Sequence, residues 1–297
     1  AVFEDRELKA SVTQEALTAV GGQVLFASNT STLPISGLAK ASVAENKFIG
    51  MHFFSPVDKM PLVEIIRGEQ TDDETLAAIY DLTLQIGKTP IVVNDSRGFF
   101  TSRVFTSYVY EGMRLLAQGI APARIENAAI QAGLPVGPLA LIDEVSVTLL
   151  AAVRKQTKHD LKQQGKVYIL DQADFVIDAM IAAQRLGKSV GCGFYSYPSA
   201  DRRAPKHLWP GLTDLIAEHL GDRSSAFTVD DAAQVTDKDI QERLLYVQSL
   251  ESLRAYDSGV VLSQRDANVG SIMGLGFPNW TGGVLQFIKY TGVEAFI

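Results

Sequence analysis

The chain has 297 residues, 46% of them hydrophobic and 21% charged, with a formal net charge of −7 at pH 7. That is the balance of a soluble globular protein long enough for two or three domains, and with no basic patch it excludes nucleic acid as a partner. The apolar runs are too short to cross a bilayer, Ala1-Val2-Phe3-Glu4-Asp5 does not read as a signal peptide, so none is expected, and the single Cys192 excludes an internal disulfide and suits a reducing, cytoplasmic compartment.

The first ninety-odd residues alternate between two periodicities. Ala1–Glu4 reads as the end of a strand, and Arg6–Val20 has helical apolar spacing that stops at Gly21-Gly22. Gln23–Ser28 is a short apolar strand ending in the polar turn 29–32, and Pro34–Ala39 a short helix. Lys47–Phe53 and Pro61–Ile66 are two further strands. Asp72–Ile86 is a helix with an acidic start and Gly87 at its end, and Thr89–Asn94 is another strand. This alternation predicts an α/β layer around a largely parallel, partial Rossmann-type sheet.

Beyond Gly98 the chain turns helical. Arg103–Ala117 is amphipathic, Pro122–Ala132 opens on a proline suited to a first turn, and Gly137-Pro138 opens a helical stretch running towards Gly165. A Pro-rich linker follows around Ala204–Gly211, and Asp237–Tyr256 is again helical. Arg103, Glu111, Arg114 and Gly119 recur 140 residues later as Arg243, Glu251, Arg254 and Gly259. Two similar helical units are the natural reading. The expected division is therefore 1–96 for the sheet domain, 97–200 for the first helical unit and 201–297 for the second.

Two polar residues interrupt the apolar strands. His52 and Glu64 lie twelve residues apart, each inside a strand-like run. An imidazole can take a proton near neutral pH, and a neighbouring carboxylate would fix its tautomer and hold its charged form. An unpaired carboxylate in the apolar run around Glu64 would be costly, and pairing with His52 removes that cost. The alternative is a satisfied strand-end histidine beside a solvated edge glutamate. Ser28-Asn29-Thr30-Ser31-Thr32 suits the crevice at the carboxyl ends of parallel strands, where such sheets bind ligands, or is an ordinary polar turn. Glu4 and Lys9 either reach a nucleotide or form a solvated pair at a helix start. The glycines of 187–193 and 270–276 lie among helices, so loop and close-packing roles are expected of them rather than a dinucleotide fingerprint. Four scattered histidines and one cysteine give no metal-ligand spacing.

The succession Phe26-Ala27-Ser28-Asn29-Thr30-Ser31, Gly50-Met51-His52-Phe53-Phe54-Ser55-Pro56, Leu62-Val63-Glu64 and Asn94-Asp95-Ser96-Arg97-Gly98-Phe99 resembles the L-3-hydroxyacyl-CoA dehydrogenase family. The second helical copy, with Asn268-Val269-Gly270-Ser271 and Phe277-Pro278-Asn279-Trp280, is similar to the carboxyl-terminal part of the α subunit of the fatty-acid β-oxidation multienzyme complex. The resemblance implies NAD as cofactor and an acyl-CoA substrate. It implies His52 as the catalytic base, Glu64 as its carboxylate partner, and Ser31 as a hydroxyl that bonds the substrate 3-oxygen near the nicotinamide. Glu4, Lys9 and Asn29 match cofactor-facing positions. Ser102 stands where the family carries an active-site asparagine, and a hydroxyl lacks the reach of that amide. The family's glycine-rich βαβ start is not in this sequence. A fragment of a multifunctional enzyme, impaired in isolation, is therefore expected, with an enoyl-CoA hydratase domain and a thiolase subunit as partners of the parent. The competing expectations are an assembly module that docks the thiolase or a twin copy, with Trp209 and Trp280 as candidate contacts, and a dehydrogenase of other 3-hydroxy acids.

Overall fold

A computed structural model describes residues 2, 4–21, 24–163, 165–198, 205–221 and 234–296. Two compact units emerge, one made of residues 1–106 with 248–297 and the other of residues 107–247. Ala1, Phe3, Gln23 and Ala204, which bear on the first two strands and the linker foreseen from the sequence, lie outside the described residues.

The first unit is built on a four-stranded sheet in the order β1 (Phe26–Ser28), β2 (Phe48–Phe53), β3 (Leu62–Arg67), β4 (Thr89–Asn94). β1 pairs parallel with β2 and β3 with β4, as the alternation predicts, whereas β2 and β3 run antiparallel. The connection accounts for this step: the chain between Phe53 and Leu62 is too short for the crossover a parallel pair needs. Helices α1 (Arg6–Val20), α2 (Ile35–Ala39) and α3 (Asp73–Gln85) flank the strands. Asp5 caps α1 by accepting from Leu8 N–H at 2.9 Å, and Asp72 caps α3 in the same way at Thr75. The central strands are buried on both faces, so their apolar runs are nearly continuous. Ile49, Met51, Val63, Ile65 and Ile79 form a cluster between sheet and α3.

The helical part begins with α4 (Thr101–Ala117), α5 (Pro122–Gln131), α6 (Pro138–Val145) and α7 (Val147–Gln163). The single helix expected from Gly137 towards Gly165 is thus two. Ser146 breaks it at φ +82°, where its hydroxyl donates to Leu186 O at 3.0 Å. Helices α8 (Gln172–Ala182) and α9 (Leu212–Leu220) follow, and His207–Leu208 of the expected linker pairs with Tyr195–Ser196 as a short ribbon, β5 and β6. The chain ends with α10 (Asp237–Asp257), α11 (Gln264–Leu275), α12 (Val284–Thr291) and α13 (Val293–Phe296). Glycines 270 and 274 sit inside α11. A β-carbon at either would come within 2.7 Å of Ile91 or 2.6 Å of Leu62, so they let α11 lie close on β3 and β4.

The sequence repeat has a structural counterpart. In the first unit Arg103 Nε donates to Glu251 Oε1 at 2.8 Å; in the second, Arg243 Nε donates to Glu111 Oε1 at 2.7 Å. The arginine of each copy thus bonds the glutamate of the other. The following helices repeat a cap as well. Glu126 on α5 accepts from Leu139 and Ala140 N–H at the start of α6, and Asn268 on α11 accepts from Leu285 and Gln286 N–H at the start of α12. Each capped helix is preceded by a glycine, which has no side chain to do the capping itself.

Candidate active site

The antiparallel step sets His52 directly opposite Glu64 on β2 and β3. Opposed residues in such a pair point to the same face, and here they meet: His52 Nδ1 lies 3.0 Å from Glu64 Oε2. The imidazole's other nitrogen, Nε2, lies 3.0 Å from Ser31 Oγ, at the carboxyl end of β1. His52 is 5% exposed and Glu64 fully buried, while Ser31 is exposed. The relay therefore runs from solvent through a hydroxyl and an imidazole to a sequestered carboxylate. Phe54 and Phe99 flank the imidazole, with ring centroids 4.7 and 6.3 Å away.

Glu64 is held from a third direction. Its Oε1 accepts from Phe100 N–H at 2.9 Å and Thr101 N–H at 3.0 Å, where the chain enters α4. Its Oε2 accepts from the Thr101 hydroxyl at 2.5 Å as well as facing His52. Four donors on two oxygens are the complement of an ionised carboxylate, which is acceptor-only. The helix terminus favours the same charge. Gly98 (φ +70°) and Phe99 (φ +47°) turn the chain so that both N–H groups face Glu64. A buried phenylalanine in the left-handed region is a strained residue of the sort that gathers at functional sites. With the carboxylate on Nδ1, that nitrogen carries the proton and Nε2 presents its lone pair towards Ser31.

The other expected residues fall close by, with different contacts. Glu4 Oε1 accepts from the Thr30 hydroxyl at 2.5 Å, Ser31 N–H at 3.0 Å, and Thr32 N–H and hydroxyl at 3.0 and 3.1 Å. Burial pushes this carboxyl up, but bonds from Thr30 and Thr32, the charge of Lys9 and the bond from Ser31 outweigh it and hold it below the ordinary range. Glu4 thus braces the turn that carries Ser31. Lys9 is buried, its Nζ 3.3 Å from Glu4 Oε2 and 3.0 Å from Asn29 O. Ser102 donates its hydroxyl to Ser31 O at 2.9 Å, clamping the same turn from α4. Asn29 is exposed and its Oδ1 accepts from Phe53 N–H at 3.3 Å, leaving its amide N–H groups without a protein partner among the described residues. Hydroxyl and amide groups gathered at the carboxyl end of a parallel strand fit a nicotinamide cofactor, and Asn29 and Ser31 are the residues present that would hold its reactive end. Glu4 and Lys9 neutralise one another.

Sequence reasoning missed Thr101, whose only signal was a hydroxyl at a helix start. It also missed Asp95, whose two oxygens accept from Ile35 N–H at 2.9 Å and Ser36 N–H at 2.7 Å and so cap α2 beside the site. Of the aromatic contact candidates, Trp280 is 63% exposed, whereas half-buried Trp209 lies 4.1 Å beneath the Arg185 guanidinium. No helix among the described residues is long and apolar enough to cross a membrane, and they hold no group of three or more metal-ligating side chains.

Comparison with known proteins places this geometry in a family. Residues 1–96 match the NAD-binding domain of 3-hydroxyacyl-CoA dehydrogenase, and residues 98–197 its C-terminal domain. The whole chain is 34% identical over 302 residues to the fatty acid oxidation complex subunit alpha of Shewanella amazonensis, and 32% identical over 297 residues to that of Vibrio parahaemolyticus. It spans about 40% of the length of the first and 39% of the second. Among solved structures, (S)-3-hydroxybutyryl-CoA dehydrogenase from Ralstonia eutropha is 35% identical with a TM-score of 0.60, over 67% of this chain and 69% of that one. The 3-hydroxybutyryl-CoA dehydrogenase of Escherichia coli shares the fold, with a TM-score of 0.77 at 22% identity over 99% of this chain and 74% of that one. On these matches, the chain belongs to the 3-hydroxyacyl-CoA dehydrogenase family, whose first domain binds NAD.

Proposed function

We propose that this chain carries the NAD-dependent oxidation of (S)-3-hydroxyacyl-CoA to 3-oxoacyl-CoA in fatty-acid β-oxidation. The single observation behind this reading is the Ser31–His52–Glu64 relay, with 3.0 Å at each link and an exposed outer end. His52 Nε2 takes the proton of the substrate's 3-hydroxyl as the alcohol carbon is oxidised. Glu64 stabilises the imidazolium that forms and keeps the ring from turning. Ser31 orients the substrate oxygen by hydrogen bonding, and Ser102 and Glu4 hold Ser31 in place. Bound NAD supplies the hydride acceptor, and Asn29 offers a free amide to its reactive end. We assign residues 1–96 to the cofactor domain, 97–200 to the first helical unit and 201–297 to its repeat. In a longer polypeptide of the oxidation-complex type, a hydratase domain and a thiolase subunit are the partners that would supply the substrate and consume the product, in the cytoplasm.

The test is His52→Ala in the full-length polypeptide. Turnover of (S)-3-hydroxyacyl-CoA should drop by at least about a hundredfold, the usual worth of a positioned general base; turnover within a few-fold of the parent refutes the assignment. A docking role is a second reading, favoured by Trp280 and Tyr290, 63% and 79% exposed in the first unit. Sedimentation with and without the thiolase subunit tests it.

A further inference from the structure

The dehydrogenase relay leaves unused an unusual surface on the second unit, along α7 and the segment after it. Lys155, Lys158 and Lys162 recur at spacings of three and four, which places them on one face of α7, and all are exposed. Lys166 continues the series. Between Arg154 and Lys166 the chain carries five cations against one acid, Asp160, a local basic patch that the whole-chain balance of −7 conceals and that the reading of composition did not find. Arg154 is neutralised by Asp174 and Asp178. Lys155, Lys162 and Lys166 have no acidic partner among the described residues.

Beside this basic face the chain exposes aliphatic side chains. Val167 is 86% exposed, Ile169 87% and Leu170 59%. The intervening Tyr168 fixes their location. Lys158 Nζ sits 4.9 Å from the centre of its ring, and its hydroxyl donates to both oxygens of Asp174, at 3.0 and 2.9 Å. The cation–π contact ties the segment to the lysine face of α7. Val167 and Ile169, on either side of the anchored tyrosine, are among the most exposed aliphatic side chains of the described residues.

We propose that this face of α7 with Val167, Ile169 and Leu170 is a docking surface for an anionic lipid bilayer. Each lysine contributes attraction to anionic headgroups, worth about 1 kcal/mol near such a surface, or about fivefold in affinity. The aliphatic side chains enter the headgroup boundary, where their exposure to water ends. The chain's overall negative charge does not oppose this, since salt screens it within about 8 Å while the lysines touch the surface. The composition separates a bilayer from other polyanions. A protein partner's interface favours Trp, Tyr and Arg and is depleted in Lys. Single-stranded nucleic acid calls for open aromatic platforms, whereas the ring of Tyr168 is covered by Lys158. The proposal stands on the second unit alone and is independent of the dehydrogenase reading.

The test is co-sedimentation of the protein with vesicles of phosphatidylcholine containing about one-third phosphatidylglycerol, against pure phosphatidylcholine. The protein should pellet with the anionic vesicles only, and raising salt from about 0.1 to about 1 M should weaken its binding. The combined variant Lys155→Gln, Lys158→Gln, Lys162→Gln, Lys166→Gln should lose binding by at least about a hundredfold. The pair Val167→Ser, Ile169→Ser should lose about tenfold or more while keeping the salt response. All the changed positions are exposed, and circular dichroism checks that the helices persist. Absence of pelleting with anionic vesicles overturns the proposal, as does undiminished pelleting of the lysine variant. Capture by immobilised poly-glutamate that matches the vesicles and ignores the aliphatic pair also overturns it, in favour of an acidic protein partner.

Discussion

The hydroxyl of Thr101 lies 2.5 Å from Glu64 Oε2, the same oxygen that faces His52 Nδ1 at 3.0 Å. A buried carboxylate that loses one such donor loses a charge-assisted bond without regaining water. Thr101→Val should therefore destabilise the protein by about 1.5–3 kcal/mol, read as a lower urea midpoint at unchanged slope. Thr101→Ser keeps the hydroxyl and should recover most of the loss. Equal midpoints for the valine and parent proteins would mean that the short contact contributes nothing.

Glu64→Gln probes the relay rather than the packing. The amide is nearly the same size, but one of its ends is a donor, and donors surround both ends. If the nitrogen faces Phe100 and Thr101, it meets their N–H groups. If it faces His52, Nδ1 must accept, the proton moves to Nε2, and the base has lost its lone pair. Either way kcat should fall by at least about a hundredfold, with KM for the acyl-CoA changed far less. A fall in kcat/KM carried mainly by KM would point to a binding role for Glu64 instead.

The parts of this site differ in how plainly the sequence announces them. His52 and Glu64 were visible because each interrupts a run that otherwise has to be apolar, and a twelve-residue interval between two short strands brings such residues opposite one another. The antiparallel step was available in the short link after Phe53 but hidden by the surrounding alternation. Thr101 and Glu4 were not legible in their observed roles, because their partners lie 37 and 26–28 residues away and meet them only through the turns at Gly98-Phe99 and Asn29–Thr32. The break at Ser146 carries no glycine or proline to mark it. The helix at Gln172 did carry a signal, the capping box of Asp171 and Asp174, which a reading based on apolar period passes over.

Two carboxyls with opposite shifts give opposite pH signatures. Burial pushes the Glu126 carboxyl above its ordinary value, and bonds from Tyr195 and the N–H groups of Leu139 and Ala140 only partly offset it. Its favourable contribution is complete below the unfolded value near 4.5 and is lost as pH rises through the raised one. Glu126→Gln should therefore gain stability relative to the parent between pH 4 and 8, whatever constant offset the amide introduces. Glu4 is shifted down, so its contribution is present above the unfolded value and lost as pH falls through the lowered one. Glu4→Gln should cost stability at pH 7 and lose that penalty in acid. Urea midpoints of parent and variants across this range measure both slopes, and parallel curves for either variant would refute that residue's assignment.

The carboxylates of the exchanged pairs are unequal in burial, and that predicts unequal worth. Glu111 is 9% exposed at its side chain and serves Arg243 and Arg114, whereas Glu251 is 18% exposed and serves Arg103 and Arg254. The more buried carboxylate interacts through less solvent, so its charge is worth more. Removing one member of a buried pair costs about 3–5 kcal/mol when the other is left uncompensated. Arg114 retains Asp171 at 2.6 Å, but among the described residues Arg243 is left with a neutral acceptor, Gln118. Glu111→Gln should approach the lower end of that range, and Glu251→Gln, at the more exposed carboxylate with Arg254 70% exposed beside it, should cost roughly half as much. Double-mutant cycles of Glu111 with Arg243 and of Glu251 with Arg103 isolate each pair's coupling. The first coupling should be the larger at moderate salt and the less sensitive to added salt. Equal couplings, or a larger one at Glu251, would show that burial does not set the worth of these pairs.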